Sequence, residues 1–179
     1  MTAKPAEMSI FDEAYEKDTT SPFRNFYVFK RPGQNSDTTM TKIKHTEKEW
    51  AEKLDPQQYQ VLRQCGTEPP FTGKYCHNQK DGNYYCAACG ALLFTSDTKY
   101  NSRSGWLGFY APANNNNIIE VRDTSYGMKR VEIKCAHCGG HLGHLFPDGP
   151  RPTGLRYCVN SIALDFEEKP PEGKGKSER

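Results

Sequence analysis

Two short stretches, CAACG at residues 86–90 and CAHCG at residues 135–139, restrict this chain more than any other feature in it. Two residues between thiols let both sulfurs of a pair point to one side of a tight turn, and the glycine that follows relieves the backbone there. Four thiolates, from Cys86, Cys89, Cys135 and Cys138, complete a tetrahedral zinc ion and leave it no open position, as a structural site requires. The pairs are separated by residues 90–134. The metal is therefore expected to clamp two hairpins that are distant in sequence. The competing reading is a pair of redox C-x-x-C motifs. Neither pair opens a βαβ unit, however, and such duplication is uncommon in one small domain. His137, inside the second pair, is expected to be a turn residue at the surface, since four sulfurs already suffice.

A chain of 179 residues suits one domain with a real core, so disulfides are not required to hold it. Lysine and arginine number 24 against 22 acidic residues, a formal +2, and the signs are well mixed. That argues against a nucleic-acid surface, which shows a basic patch or a strong excess. No apolar run approaches membrane-spanning length, and MTAKPAEMSIFDEAYEKD has no hydrophobic signal core. Its acidic residues fit a transit peptide poorly. The seven cysteines thus read as metal ligands and free thiols in a reducing compartment. The expectation is a monomeric cytosolic protein, with nuclear entry left open and with neither membrane nor nucleic acid as a partner.

Residues 1–44 lack any sustained period and are expected to form a flexible or loosely docked extension. Thr46 with Glu49 three residues on is a capping box, and Trp50 and Leu54 lie one turn apart. A second helix is expected from Asp55 as N-cap and Pro56 in the first turn to Gly66 as the stop, with Tyr59, Val61 and Leu62 inward. Beyond Gly66 the pattern is β. GNYYCAACGALLFTS reads as strand, cysteine turn and strand. NIIEVRDTS, MKRVEIKCAHC and RYCVNSIALDF alternate apolar and polar residues. The domain is expected over residues 45–167, mainly β behind two short helices, followed by a charged tail at 168–179.

The fifth cysteine of interest is Cys158, in TGLRYCVNS. Thiolate is the reactive form of cysteine, and nearby positive charge lowers the pKa that limits it. Strand alternation places Arg156, Cys158 and Asn160 on one face and sends Leu155, Tyr157 and Val159 to the core. In HLGHLF, His141 and His144 flank a flexible Leu-Gly. With Asp148 shortly after, they are candidates for a proton donor and an orienting group. Structural histidines are the plainer alternative. Trp106 is either core or, if accessible, a flat wall for a methyl-thioether.

The order GTEPPFTGKY, C-x-x-C-G, SGW, C-x-x-C-G, HLGHLFPDGP, TGLRYCVNS resembles the methionine-R-sulfoxide reductases of the MsrB family over about residues 48–166. The resemblance implies a zinc-bearing fold of two antiparallel β-sheets, the MsrB/Mss4-like β-tent. It also implies reduction of the R epimer of methionine sulfoxide, in proteins or free. Matched position by position, Cys158 is the nucleophile and Cys86, Cys89, Cys135 and Cys138 hold zinc. Trp106 receives the substrate methyl group, and His141, His144, Phe146, Asp148, Arg156 and Asn160 complete the pocket. Cys158 would attack the sulfoxide sulfur while His144 protonates the oxygen, leaving methionine and a cysteine sulfenic acid.

Two departures from the family pattern bear on activity. Where the family commonly has Pro-Ser-Phe after the tryptophan, this chain has Leu107 and Gly108, which is expected to loosen the loop that aims Trp106. Many members have a cysteine at the position of Ser104, and serine cannot form a disulfide. Cys65, at a helix end, is then the first candidate to resolve the sulfenic acid and Cys76 the second, with thioredoxin or a similar thiol as reductant. A zinc-ribbon-like adaptor that kept the fold and lost the chemistry is the competing function. Such an adaptor has no need of Cys158, His141, His144 and Asn160.

Overall fold

The computed structural model describes residues 15–17, 27–29 and 43–170. Helix α1 (Glu47–Lys53) starts at the Thr46–Glu49 capping box, and α2 (Pro56–Leu62) starts at a second box between Asp55 and Gln58. The second helix ends earlier than Gly66. Arg63 is its C-cap, and Gly66 closes the turn through its N–H to the Gln60 carbonyl. Trp50, Val61 and Leu62 are buried against the β structure.

Eleven strands follow one another among the described residues: β1 (Tyr15–Lys17), β2 (Tyr27–Phe29), β3 (Gly82–Cys86), β4 (Leu92–Thr95), β5 (Lys99–Tyr100), β6 (Leu107–Phe109), β7 (Ile118–Asp123), β8 (Arg130–Cys135), β9 (His141–Phe146), β10 (Arg156–Val159) and β11 (Leu164–Glu168). They form an eight-stranded sheet in the order β1-β2-β7-β8-β9-β10-β6-β5 and a three-stranded sheet in the order β11-β3-β4. Every pairing is antiparallel. The segment expected as an N-terminal extension contributes β1 and β2, and β2 pairs with β7. The remainder of residues 1–42, and the tail at 171–179, lie outside the described residues.

The two sheets meet over an aromatic core. Phe94 of the small sheet stacks on Phe109 of the large one with ring centroids 4.4 Å apart, and Tyr84 meets Phe109 edge-on at 5.2 Å. Tyr157, Val159 and Leu155 are buried as alternation requires. Burying each such aromatic contributes roughly 1.5–3 kcal/mol. Because Tyr157 faces this core, Cys158 faces the other side of the large sheet. The core therefore sets the direction of the site.

Two strands differ from the pattern read in the sequence. Glu120, a polar position in β7, is buried, and its carboxylate accepts the Tyr157 hydroxyl at 3.3 Å. RYCVNSIALDF is not one strand but two, in different sheets, broken by a 3-10 turn at Ser161–Ala163. The break has a cause in the half-buried Glu68. The Glu68 carboxylate accepts the N–H groups of Ser161 (2.7 Å) and Ile162 (3.1 Å), donors that a continuing strand would have used in its ladder.

Candidate metal cluster and active site

The paired cysteines stand at the ends of two hairpins, β3–β4 in the small sheet and β8–β9 in the large one. Gly90 and Gly139 both take left-handed φ (76° and 70°), and their N–H groups close each turn onto the carbonyls of Cys86 and Cys135 at 2.8 Å. The four sulfurs lie within 4.8 Å of one another, with Cys86–Cys138 and Cys89–Cys135 both 3.6 Å apart. Tetrahedral zinc with Zn–S bonds of about 2.3 Å needs sulfurs about 3.8 Å apart. The donor set therefore fits the ion, and a metal held here ties the two sheets together. His137 bonds Asn117 at 3.1 Å instead of joining the sulfurs.

On the outer face of the large sheet, register brings Glu132, His144, Cys158, Gly108 and Tyr100 into one cross-strand row over β8, β9, β10, β6 and β5. His141 and His144 are three residues apart on β9 and would face opposite sides of a regular strand. A register shift at Ile133/Lys134, which pair with Gly143 and His141, leaves Leu142 as an extra residue. That bulge reverses the alternation and brings the two imidazoles within 5.6 Å. Gly143 is required beside it, because a Cβ there would collide with the Cys158 carbonyl.

Each histidine has its own carboxylate, and neither is Asp148. His144 Nε2 lies 2.8 Å from Asp123 Oδ2 and His141 Nδ1 2.7 Å from Glu132 Oε1. Burial works to raise the Asp123 pKa. Hydrogen bonds from Ser125 and His144, with the Arg130 charge, outweigh it and hold the group well below the carboxylate range. Glu132 is likewise lowered, His141 and Lys134 prevailing over burial. Ionised carboxylates only accept, so His144 donates from Nε2 and His141 from Nδ1. Burial, partly offset by Asp123, puts the His144 pKa below the usual 6.5, so its Nδ1 carries a lone pair at neutral pH.

Asp148 instead binds Arg156 through two hydrogen bonds, at 2.8 and 3.0 Å, and the Arg156 guanidinium lies 4.2 Å from the Phe146 ring centroid. This changes the expected electrostatics of Cys158. Arg156 and Ser104 do favour its thiolate, but burial dominates, Asp148 adds to it, and the pKa is raised above the ordinary value of 9.0. The resting group is a thiol. Asn160 lies just past the end of β10 and is buried. Its amide accepts the Glu68 N–H at 3.1 Å and donates to the Leu142 carbonyl at 3.0 Å, tying the Glu68 segment to the bulge. Trp106 is held from the same segment, its indole N–H donating to the Glu68 carbonyl at 2.9 Å.

Cys158, His144, Asn160, Phe146, Trp106 and Arg130 share a pocket of about 140 Å³, the space of one side chain. His141, Arg156 and Asp148 do not line it; His141 packs against His144, and Arg156, held by Asp148, covers Phe146. A larger cleft of about 560 Å³ beside α2 holds neither the thiol nor an imidazole. Leu107 and Gly108 do not form a loose loop. They belong to β6, which is buried and paired on both sides with β10 and β5. The missing Gly108 side chain leaves room for Ser102, whose hydroxyl is 2.8 Å from that of Ser104. Cys65 donates to Glu132 at 3.6 Å, on the far side of His144 from Cys158. Cys76 donates to the Gly105 carbonyl at 3.3 Å, immediately behind the Ser104–Trp106 turn.

Residues 54–168 match the family described as the SelR domain. A peptide methionine sulfoxide reductase MsrB of Pseudomonas putida (strain W619) is 57% identical over 134 residues, covering 75% of this chain and 99% of the relative. Its namesake from Leptospira interrogans (serogroup Icterohaemorrhagiae, serovar Lai) is 54% identical over 127 residues, with 71% and 97% covered. A third, from Pseudomonas fluorescens (strain Pf0-1), is 56% identical over 127 residues, again with 71% and 97% covered.

Proposed function

The chain belongs to the MsrB family of peptide methionine sulfoxide reductases, the SelR-domain proteins, and on that premise we propose how its residues carry out the reduction. The substrate is methionine-R-sulfoxide, free or in polypeptides, and Cys158 is the nucleophile. The observation that carries this reading is the cross-strand pairing of a Cys158 thiol with a neutral His144 that Asp123 orients.

The pairing supplies a proton path that needs no outside acid. His144 takes the Cys158 proton at Nδ1 as the sulfur attacks the sulfoxide sulfur, and Asp123 stabilises the resulting imidazolium. The same proton then passes to the sulfoxide oxygen. The substrate S–O bond breaks as the hydroxyl transfers to the Cys158 sulfur and the transient bond between the two sulfurs is released, so that Cys158 becomes a sulfenic acid and methionine leaves as the thioether. Substrate sulfur gains the two electrons that Cys158 loses, and no proton is gained or lost overall. Trp106 and Phe146 enclose the methyl-thioether end. Zinc is the metal of the four-cysteine cluster and supplies only cohesion between the sheets.

His144→Ala should slow the first turnover by about 10²-fold or more, measured as methionine released per chain without reductant. An unchanged rate would assign the proton to His141 or to water. Because the folded His144 pKa lies below 6.5, the parent rate should hold from pH 8 down to neutrality. It should fall only as His144 becomes protonated at lower pH.

Regeneration takes a second thiol, with condensation of sulfenic acid and thiol to a disulfide and water. The path from Cys158 to Cys65 is crossed by His144 and Glu132. Cys76 bonds the carbonyl of Gly105, the neighbour of Ser104, whose hydroxyl bonds Cys158. We therefore place Cys76 ahead of Cys65, and thioredoxin or a similar dithiol then reduces the disulfide. One equivalent of substrate, added without reductant and followed by peptide mapping, should yield Cys76–Cys158. A Cys65–Cys158 peptide would reverse that order, and a lasting sulfenic acid with both thiols free would remove both cysteines from regeneration. The adaptor alternative gains nothing from a thiol, an oriented imidazole and an indole gathered in one pocket.

A further inference from the structure

Among the described residues, four non-glycine positions have left-handed backbone: Cys65 (φ 54°), Phe71 (64°), Arg103 (58°) and Tyr126 (55°). Such conformations are costly outside glycine, and for bulky side chains they are uncommon. All four sit on the loops around the Cys158 pocket. Cys65 precedes Thr67, which lines the pocket. Phe71 donates its N–H to the Gly105 carbonyl at 2.7 Å, beside Trp106. Arg103 lies between Ser102 and Ser104. Tyr126 is in the β7–β8 turn between Asp123, which holds His144, and Arg130, which lines the pocket.

The exposed large hydrophobic side chains among the described residues are on two of the same loops. Phe71 is 62% exposed, Tyr126 91% and Met128 43%. Nothing in the core explains why the chain keeps aromatic rings in solvent at positions where glycine would be relaxed. The pocket itself takes one side chain. The residues on either side of a methionine sulfoxide in a polypeptide must therefore lie over these loops, one on the Trp106 side and one on the His144 side.

We infer that Phe71 and Tyr126 are specificity-determining residues that grip the residues flanking the oxidised methionine in an extended polypeptide, selecting apolar flanks over polar ones. The inference rests on the reductase reading. It adds the chemistry of the preferred substrate, a segment of the kind that folded proteins keep in their cores. Methionine in such a segment has apolar neighbours, and an extended strand presents them to both sides of the pocket mouth.

The test uses the full chain with dithiothreitol as reductant and three substrates. These are a peptide with methionine-R-sulfoxide between leucines, the same peptide with serines, and free methionine-R-sulfoxide. The variants are Phe71→Gly and Tyr126→Gly, and both relax their backbone. Melting temperatures should stay level or rise. kcat/KM for the leucine peptide should fall about fivefold or more through KM, with free sulfoxide turnover within twofold of the parent. An unchanged leucine-to-serine ratio, or an equal loss on the free amino acid, overturns the inference. So does a loss confined to thioredoxin-driven rates, which would assign the rim to the reductant. Failure of the parent to reduce any of the three substrates would instead remove the reductase reading, and the inference with it.

Discussion

Cys158→Ser should lower methionine sulfoxide turnover by on the order of 10⁴-fold or more, while zinc content and melting temperature remain those of the parent. The hydroxyl of serine is a far weaker nucleophile toward sulfur and cannot become a sulfenic acid. The oxygen therefore has no acceptor. The substitution is nearly isosteric at a half-buried position of β10. Backbone pairing to β9 and β6 fixes that position, and the cysteine is outside the metal cluster. Stability has no reason to follow activity down. Turnover near the parent value would remove Cys158 from the mechanism. A matched loss of zinc and fold would make the cysteine structural.

The opposite pattern is expected at the cluster. Cys135 is fully buried at the end of β8, and its partner sulfur, on Cys89, belongs to the hairpin of the other sheet. Structural zinc contributes about 10–16 kcal/mol in small metal-dependent domains, as much as the whole stability of a typical domain, about 5–15 kcal/mol. Cys135→Ser removes one of four ligands and leaves a hydroxyl among buried sulfurs. The variant should be recovered unfolded or aggregated, and zinc chelation of the parent under denaturing stress should have the same result. Native mass spectrometry of the parent should show one zinc per chain. A soluble Cys135→Ser protein with the parent melting temperature, or a folded parent with no metal, would remove the metal from the account of stability.

What the sequence discloses here follows the range of the interactions involved. The capping boxes at Thr46 and Asp55, the glycines after each cysteine pair and the inward faces of the strands are local, and they stand where the pattern puts them. The partners of the histidines do not follow from local pattern. Asp148 is near in sequence and binds Arg156, whereas Asp123 and Glu132 reach His144 and His141 through strand pairing. Their only trace in the sequence is charge within β7 and β8, where Glu132 alternates with Arg130 and Lys134 and Asp123 ends β7. The bulge at Leu142 is equally silent, since HLGHLF reads the same with or without it. Glu68 left no signal of its own, yet it ends β10, through Asn160 helps to fix the bulge, and holds the Trp106 indole. The thiol state of Cys158 required the structure as well, because an adjacent arginine matters less once Asp148 has paired with it.

The central claim is that one pocket, built on Cys158 and His144, reduces methionine sulfoxide of a single configuration. Turnover of the separated R and S epimers, with dithiothreitol as the only reductant, tests it most directly. The R epimer should be reduced over many cycles, and the S epimer should remain intact because its oxygen cannot reach the proton path while its methyl group faces Trp106. Reduction of the S epimer at a comparable rate, or of neither by a zinc-loaded, folded protein, would contradict the account.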